Sequence, residues 1–292
     1  MKNFFKNILY GAAIGVAMII PGVSGGTIAV LLDIYDKLID ALGSLRKNFK
    51  ENILFLIPIL LGAVLAFAAM YFPLYYALIY APLPTVLLFV GLMIGSLPKL
   101  FSESRTYGFD KLNVVSVIVP FILIIGICVS KLYISAGSAD LSAAMPLWGY
   151  FALFAVAMLA SCALVVPGVS GSMLLMIFGY YDSIFETIKL LLSDFWHSAL
   201  VLVIFAFGLV LGFFSIAKLM KYFLKRFPRG THWAIVGFVL GSIPAVFIVF
   251  DYASAPLDGL QIGLGCALCV LGAVLTYALT AYMSKKIKDR EE

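Results

Sequence analysis

Ile20-Pro21-Gly22-Val23-Ser24-Gly25-Gly26 recurs as Val166-Pro167-Gly168-Val169-Ser170-Gly171-Ser172, 146 positions later. The same offset carries Tyr35 onto Tyr181, Asp36 onto Asp182, Gly62 onto Gly208, Pro82 onto Pro228 and Thr85 onto Thr231. It also lays the segment Gly91 to Pro98 on Gly237 to Pro244, with both glycines, the serine and the proline in register. One fixed offset, with no insertion, aligns features across most of each half. The chain therefore reads as two copies of one unit, residues 1–146 and 147–292, within a single membrane domain.

Composition sets the solvent. Of 292 residues 63% are hydrophobic and 12% charged, and mean hydropathy is +1.10. Soluble domains run about 45–50% apolar and about 25% charged, so a soluble globular domain, a disordered chain and a coiled coil are excluded. Long unbroken apolar runs, without alternation, exclude a β-barrel and leave an all-α polytopic membrane protein. The four cysteines lie in apolar stretches and read as buried thiols; Cys266-x-x-Cys269 lacks the βαβ context of a redox motif. The N-terminal apolar run has no A-x-A-type cleavage site and ends in the repeated motif, so it belongs to the mature fold.

Each half opens with an apolar run broken by Pro-Gly-Val-Ser-Gly, 8–20 then 24–40, and 148–166 then 170–181. Three further apolar runs follow in each half, about 53–72, 83–98 and 113–131, then 195–217, 232–250 and 259–283. Proline removes a backbone donor and glycine is a poor helix former, so each broken run is either one kinked span or a re-entrant hairpin. Charge decides. With re-entrant hairpins and an inside N-terminus, only Lys131 and Lys189 of the 20 basic residues fall outside, in keeping with the positive-inside rule. The expected architecture is one re-entrant helical hairpin plus three transmembrane helices per half, with both termini cytoplasmic. Three crossings per half turn the second copy upside down, and inverted repeats with broken helices characterise secondary transporters.

Irregular backbone at membrane depth survives only inside protein or beside a water-filled cavity. Each turn leads into a helix N-terminus, which carries free N–H groups and partial positive charge. Glycine admits a ligand to the backbone, and serine and threonine add donors. The candidate anion site is thus Gly22, Ser24, Gly25, Gly26 and Thr27 opposed by Gly168, Ser170, Gly171 and Ser172, suited to a phosphate or carboxylate. Asp33, Asp36 and Asp182, at the ends of the second half-helices, are coupling or gating candidates. Gly11/Gly15, Gly91/Gly95, Gly208/Gly212 and Gly237/Gly241 have the spacing of close helix crossings. His197 and His232 have no metal-ligand spacing around them, no cofactor motif appears, and no Walker A, H-E-x-x-H or G-x-S-x-G signature is present. The basic loops mark topology and can gather anionic membrane lipids; they form no nucleic-acid patch. The chain reads as a transporter and not as an enzyme.

Pro21 to Thr27 with Ile34-Tyr35-Asp36, and Pro167 to Ser172 with Gly179-Tyr180-Tyr181-Asp182, closely resemble the bacterial PopT polyprenyl-phosphate (undecaprenyl-phosphate) transporters. The resemblance covers essentially the whole chain, including both Gly-Ser-x-Pro segments at Gly95 and Gly241. It implies a translocase of the bacterial cytoplasmic membrane that returns undecaprenyl phosphate from the outer to the inner leaflet, recycling the carrier for envelope glycans. It implies the headgroup phosphate at Ser24, Gly25, Gly26, Thr27, Ser170, Gly171 and Ser172. The chain departs from the family in having Met18 and Ile19 where relatives often carry Asp or Asn, and in having Asp33 where its second copy has Gly179. From the residues alone a carrier of a small soluble anion and an intramembrane lipid phosphatase stay open, as does a coupling ion, H⁺ or Na⁺.

The topology is tested by single cysteines at positions 44, 78, 138 and 190. Position 44 should react with a membrane-impermeant thiol reagent only from the cytoplasmic side, and the other three only from outside. Labelling of 44 and 190 from the same side would exclude the re-entrant arrangement.

Overall fold

The computed structural model describes residues 2–18, 25–44, 47–133, 139–141, 145–166, 171–249 and 258–291. The described residues form twelve α-helices: α1 (Lys2–Met18), α2 (Gly25–Leu31), α3 (Tyr35–Gly43), α4 (Phe49–Tyr80), α5 (Pro82–Thr106), α6 (Lys111–Tyr133), α7 (Leu147–Val165), α8 (Gly171–Ile177), α9 (Tyr181–Leu190), α10 (Phe195–Arg226), α11 (Pro228–Val249) and α12 (Gly259–Glu291). Six of them, α4, α5, α6, α10, α11 and α12, are long and apolar enough to cross a membrane. The chain is an all-α polytopic membrane protein, with its six spans where the apolar runs placed them.

α1 and α7 are apolar but short, 17 and 19 residues. α1 begins earlier than the apolar run suggested, taking in Lys2 and Lys6. The second arms differ from the expected continuous runs 24–40 and 170–181, because each is two helices. Asp33 (φ 59°) and Gly179 (φ 75°) take the left-handed conformation that ends an α-helix. The N–H groups of Asp33 and Ile34 donate to the carbonyls of Val30 and Ala29, at 3.0 Å each. Those of Gly179 and Tyr180 donate to Met176 and Leu175, at 3.1 and 2.9 Å, the same pattern 146 positions on. Apolar continuity could not reveal this stop, since the residues flanking it stay hydrophobic.

Packing rests on close backbone approach. A Cβ at Gly11 or Gly15 would strike the α4 backbone at Ile59 or Ala63, and one at Gly212 the α7 backbone at Met158. Cβ atoms at Gly91 and Gly95 would strike α12 at Cys269 and Ala273, and one at Gly237 would strike α6 at Val117. The main helix pairs are therefore α1 with α4, α7 with α10, α5 with α12, and α11 with α6. The paired glycines do line helix crossings, and in the last two pairs each half contributes one helix. Cys266 and Cys269 both lie on α12 as free thiols.

Burial sorts the six long helices into two groups. The most apolar stretches of α5 and α11 are each 56% buried, against 17–22% for α4, α6, α10 and α12. α5 and α11 form the centre. The others turn faces such as Leu60, Val64, Leu200, Val203, Val270 and Val274 outward, as lipid contact requires. A main core cluster gathers Ile28 and Val30 of α2, Ile39 of α3, Met93 of α5, Val165 of α7, Ala217 of α10 and Val236 of α11.

Gly91→Leu should force α5 from α12 and lower the melting temperature of detergent-solubilised protein by several degrees. Gly126→Leu on α6, where a Cβ meets nothing within 4 Å, should leave it unchanged. Equal melting of the two variants would contradict the crossing.

Candidate functional site

Gly22, Ser24, Gly168 and Ser170 lie outside the described residues. Their neighbours open two matched helices: Gly25, Gly26 and Thr27 start α2, and Gly171 and Ser172 start α8, each seven residues long. Gly25 and Gly26 are buried. α2 folds back on α1 and also touches α7; α8 folds back on α7 and touches α6. A Cβ at Gly171 would come 2.8 Å from the Ala160 carbonyl oxygen, so α8 can lie this close to α7 only with glycine there.

One hydrogen bond ties the first motif's arm to the helix that leads into the second. The buried Tyr35 hydroxyl, at the start of α3, donates to the Val165 carbonyl at 3.0 Å. Val165 ends α7, and a terminal carbonyl has no partner within its own helix; Tyr35 supplies one. Burial, and then the charge of Asp36, push the phenol pKa up, so it stays a donor.

Beyond the left-handed turn a charged group assembles at one end of the bundle. Asp33 Oδ2 lies 3.0 Å from Lys99 Nζ on α5, which also lies 3.4 Å from Glu103 Oε1. His232, at the start of α11, donates from Nδ1 to the Pro228 carbonyl at 2.7 Å, which turns Nε2 toward Asp36 Oδ2 at 3.6 Å. Tyr107 stacks on the His232 ring at 4.2 Å between centroids. Asp33, Asp36, Glu103 and His232 line an open cleft floored by Val30 and Leu100. Two further ties hold this end. Asp40 Oδ1 lies 2.8 Å from Lys221 Nζ and 3.4 Å from Lys225 Nζ on α10, and Arg229 pairs with Asp110 at 2.9 Å. The Lys221 hydrogen bond holds the Asp40 carboxyl below the usual carboxylate range.

Of the three coupling candidates, Asp33 and Asp36 thus meet at one site. Asp182 stands apart, exposed in the first turn of α9. α9 leads into the N-terminus of α10, whereas α3 meets α10 near its C-terminus at Lys221. α10 has 32 residues, about 48 Å at 1.5 Å per residue, so the two carboxylate-bearing helices lie at opposite ends of the bundle. Sequence reasoning missed Lys99, Glu103 and His232 as site residues. The Lys99/Glu103 spacing of four was visible, but Lys99 read as a topology marker. The set belongs to one end only: at the repeat offset Asp33, Lys99 and Glu103 correspond to Gly179, Ala245 and Val249, and Lys221 and His232 to Tyr75 and Val86.

Six long apolar helices, two short folded-back helices and an ionic cluster define a polytopic membrane protein with a polar site at one end of its bundle. The family model described as VCA0040-like, undecaprenyl phosphate translocase-like, matches residues 14–261, and the chain belongs to that family. It is 34% identical over 250 residues to a polyprenyl-phosphate transporter of Staphylococcus aureus (strain NCTC 8325 / PS 47), covering 85% of this chain and 88% of that protein. It is 28% identical over 260 residues to a polyprenyl-phosphate transporter of Vibrio cholerae serotype O1 (strain ATCC 39315 / El Tor Inaba N16961), covering 84% and 78%. No solved structure matches the chain significantly.

Because the folded state depresses the Asp40 pKa, the α3–α10 tie contributes fully above the ordinary carboxylate range. It is lost as pH falls through the lowered value. Amide hydrogen exchange in α3 should therefore rise on acidification beyond the intrinsic pH effect, and Asp40→Asn should raise it at neutral pH. Unchanged α3 protection in Asp40→Asn would rule the tie out.

Proposed function

We propose that this chain translocates a polyprenyl phosphate, undecaprenyl phosphate above all, from the outer to the inner leaflet of the bacterial cytoplasmic membrane. The observation that carries the reading is the contact of α2 and Tyr35 with α7, which brings the first motif's arm against the helix that runs into the second motif. The headgroup phosphate lies between two opposed helix N-termini, with Gly22, Ser24, Gly25, Gly26 and Thr27 on one side and Gly168, Ser170, Gly171 and Ser172 on the other. The free N–H groups and hydroxyls there offset the desolvation of an anion without a buried cation. The prenyl tail loses nothing by staying in lipid, so the protein shelters only the head.

The two halves, 1–146 and 147–292, are inverted copies that rock against each other and open the nest to each side in turn. The matched lengths of α2 and α8, and of α4 and α10, support that division, and the opposite-end positions of α3 and α9 support the inversion. The end with Lys221, Lys225 and Arg229 is the cytoplasmic one, which puts both termini inside. The chain is a carrier and not an enzyme. Asp33 and Asp36 are the residues through which an ion, H⁺ or Na⁺, couples to transport.

Ser24→Leu and Ser170→Leu should each lower the return of undecaprenyl phosphate at least tenfold, seen as a rise of the lipid at the cell surface with normal protein expression. Unaltered surface levels in both variants would reject the nest.

A further inference from the structure

Lys99 is a buried charged side chain that the mechanism above leaves without a task. Its side chain is 12% exposed and its ammonium nitrogen is buried. Its ion-pair partners are the two carboxylates of Asp33 and Glu103, 3.0 and 3.4 Å away. A buried ammonium is costly unless well bonded. Carrying one here needs a reason beyond packing. The second half makes the corresponding left-handed turn with Gly179 and has Ala245 in place of the lysine, so the turn itself does not require the pair. Lys99 is packed with Val30, Ser96 and Thr280 in a crevice beside the C-terminal end of α2 that has no room for a water molecule in this state. α2 is seven residues long, about 10 Å at 1.5 Å per residue. The crevice is one short helix away from the motif turn.

We infer that Lys99 is an inner-end receptor for the phosphate head, occupied in this state by the Asp33 carboxylate in its stead. This rests on the polyprenyl-phosphate reading above. Asp33 belongs to the turn between α2 and α3, so movement of that arm away from α5 withdraws the carboxylate and uncovers the ammonium together. A phosphate dianion leaving the nest then meets a cation with free donors, and it binds such a point charge more strongly than a monoanionic carboxylate does. Glu103 stays beside Lys99 on the same helix and weakens the hold on a second anion, which allows release to the leaflet. Return of the arm restores the Asp33 pair and displaces the head.

The test is equilibrium binding to the full chain in nanodiscs, with undecaprenyl phosphate as one probe and inorganic phosphate as the other. Lys99→Gln should weaken lipid binding about tenfold, the scale of one lost charge-assisted hydrogen bond, and Lys99→Arg should largely keep it. Asp33→Asn removes the competitor and should tighten binding. The double variant Asp33→Asn/Lys99→Gln, which buries no unpaired partner of that pair, should bind as weakly as Lys99→Gln. A purely structural ion pair predicts parallel losses in Asp33→Asn and Lys99→Gln, and that result would overturn the receptor, as would undiminished binding in the double variant. Lysine-dependent binding of inorganic phosphate with no lipid binding by the wild type would keep the receptor and reject the lipid as substrate.

Discussion

Backbone polar groups cannot be left unpaired in hydrocarbon, and the structure follows from where this chain breaks that rule. Each half interrupts an apolar helix at Pro-Gly-Val-Ser-Gly, releasing carbonyls on one side of the break and N–H groups on the other. The carbonyl at the end of α7 is met by Tyr35 from the other half. The left-handed turns at Asp33 and Gly179 close the far ends of the two short helices with their own backbone bonds. In the function proposed above, the N–H groups that open α2 and α8 are the donors that meet the anion.

Sheltering such breaks requires a wall, and the glycine crossings provide it. Small residues let α5 approach α12, and α11 approach α6, until backbone meets backbone. Because each of these pairs takes one helix from each half, the halves interlock at the centre. The α2–α3 arm is held by burial in the main core, where Ile28, Val30 and Ile39 pack, and by side-chain ties: Tyr35 to Val165, Asp33 to Lys99 and Asp40 to Lys221.

Much of this was legible in the sequence because membrane spanning and close crossing depend on local patterns. Twenty-residue apolar runs specify spans, and Gly-x-x-x-Gly specifies where helices touch. The repeat was legible for the same reason: Pro and Gly act on the backbone at their own positions, so their register survives when side chains diverge. The stop at residues 32–34 was hidden because aspartate adopted a conformation usually given to glycine, inside a run that is otherwise apolar. The exchange of α6 and α12 between halves and the meeting of Asp36 with His232 were hidden because both depend on contacts between distant segments. Lys99 was hidden by a sound rule: basic residues at helix ends usually report topology, and this one does so while also being buried against Asp33.

Among the described residues, the end where α3 lies carries ion pairs that the repeat counterparts cannot make, and these have an energetic scale. An exposed ion pair contributes about 0–1 kcal/mol, so the Asp40 and Arg229 pairs together add about 1 kcal/mol at the end where α3 lies. The Lys99 pair is more buried, and the desolvation of its ammonium offsets its attraction. The repeat counterparts Gly179, Ala245, Tyr75 and Val86 cannot form these ties at the other end. A perfectly symmetrical pair of halves would favour neither mouth. In the proposed rocking of the two halves, a bias of about 1 kcal/mol favours one state roughly fivefold, a margin that a bound anion can reverse. Under that proposal, substitution within one copy of the repeat is sufficient to give the carrier a direction of rest, with no change in the helices that carry it.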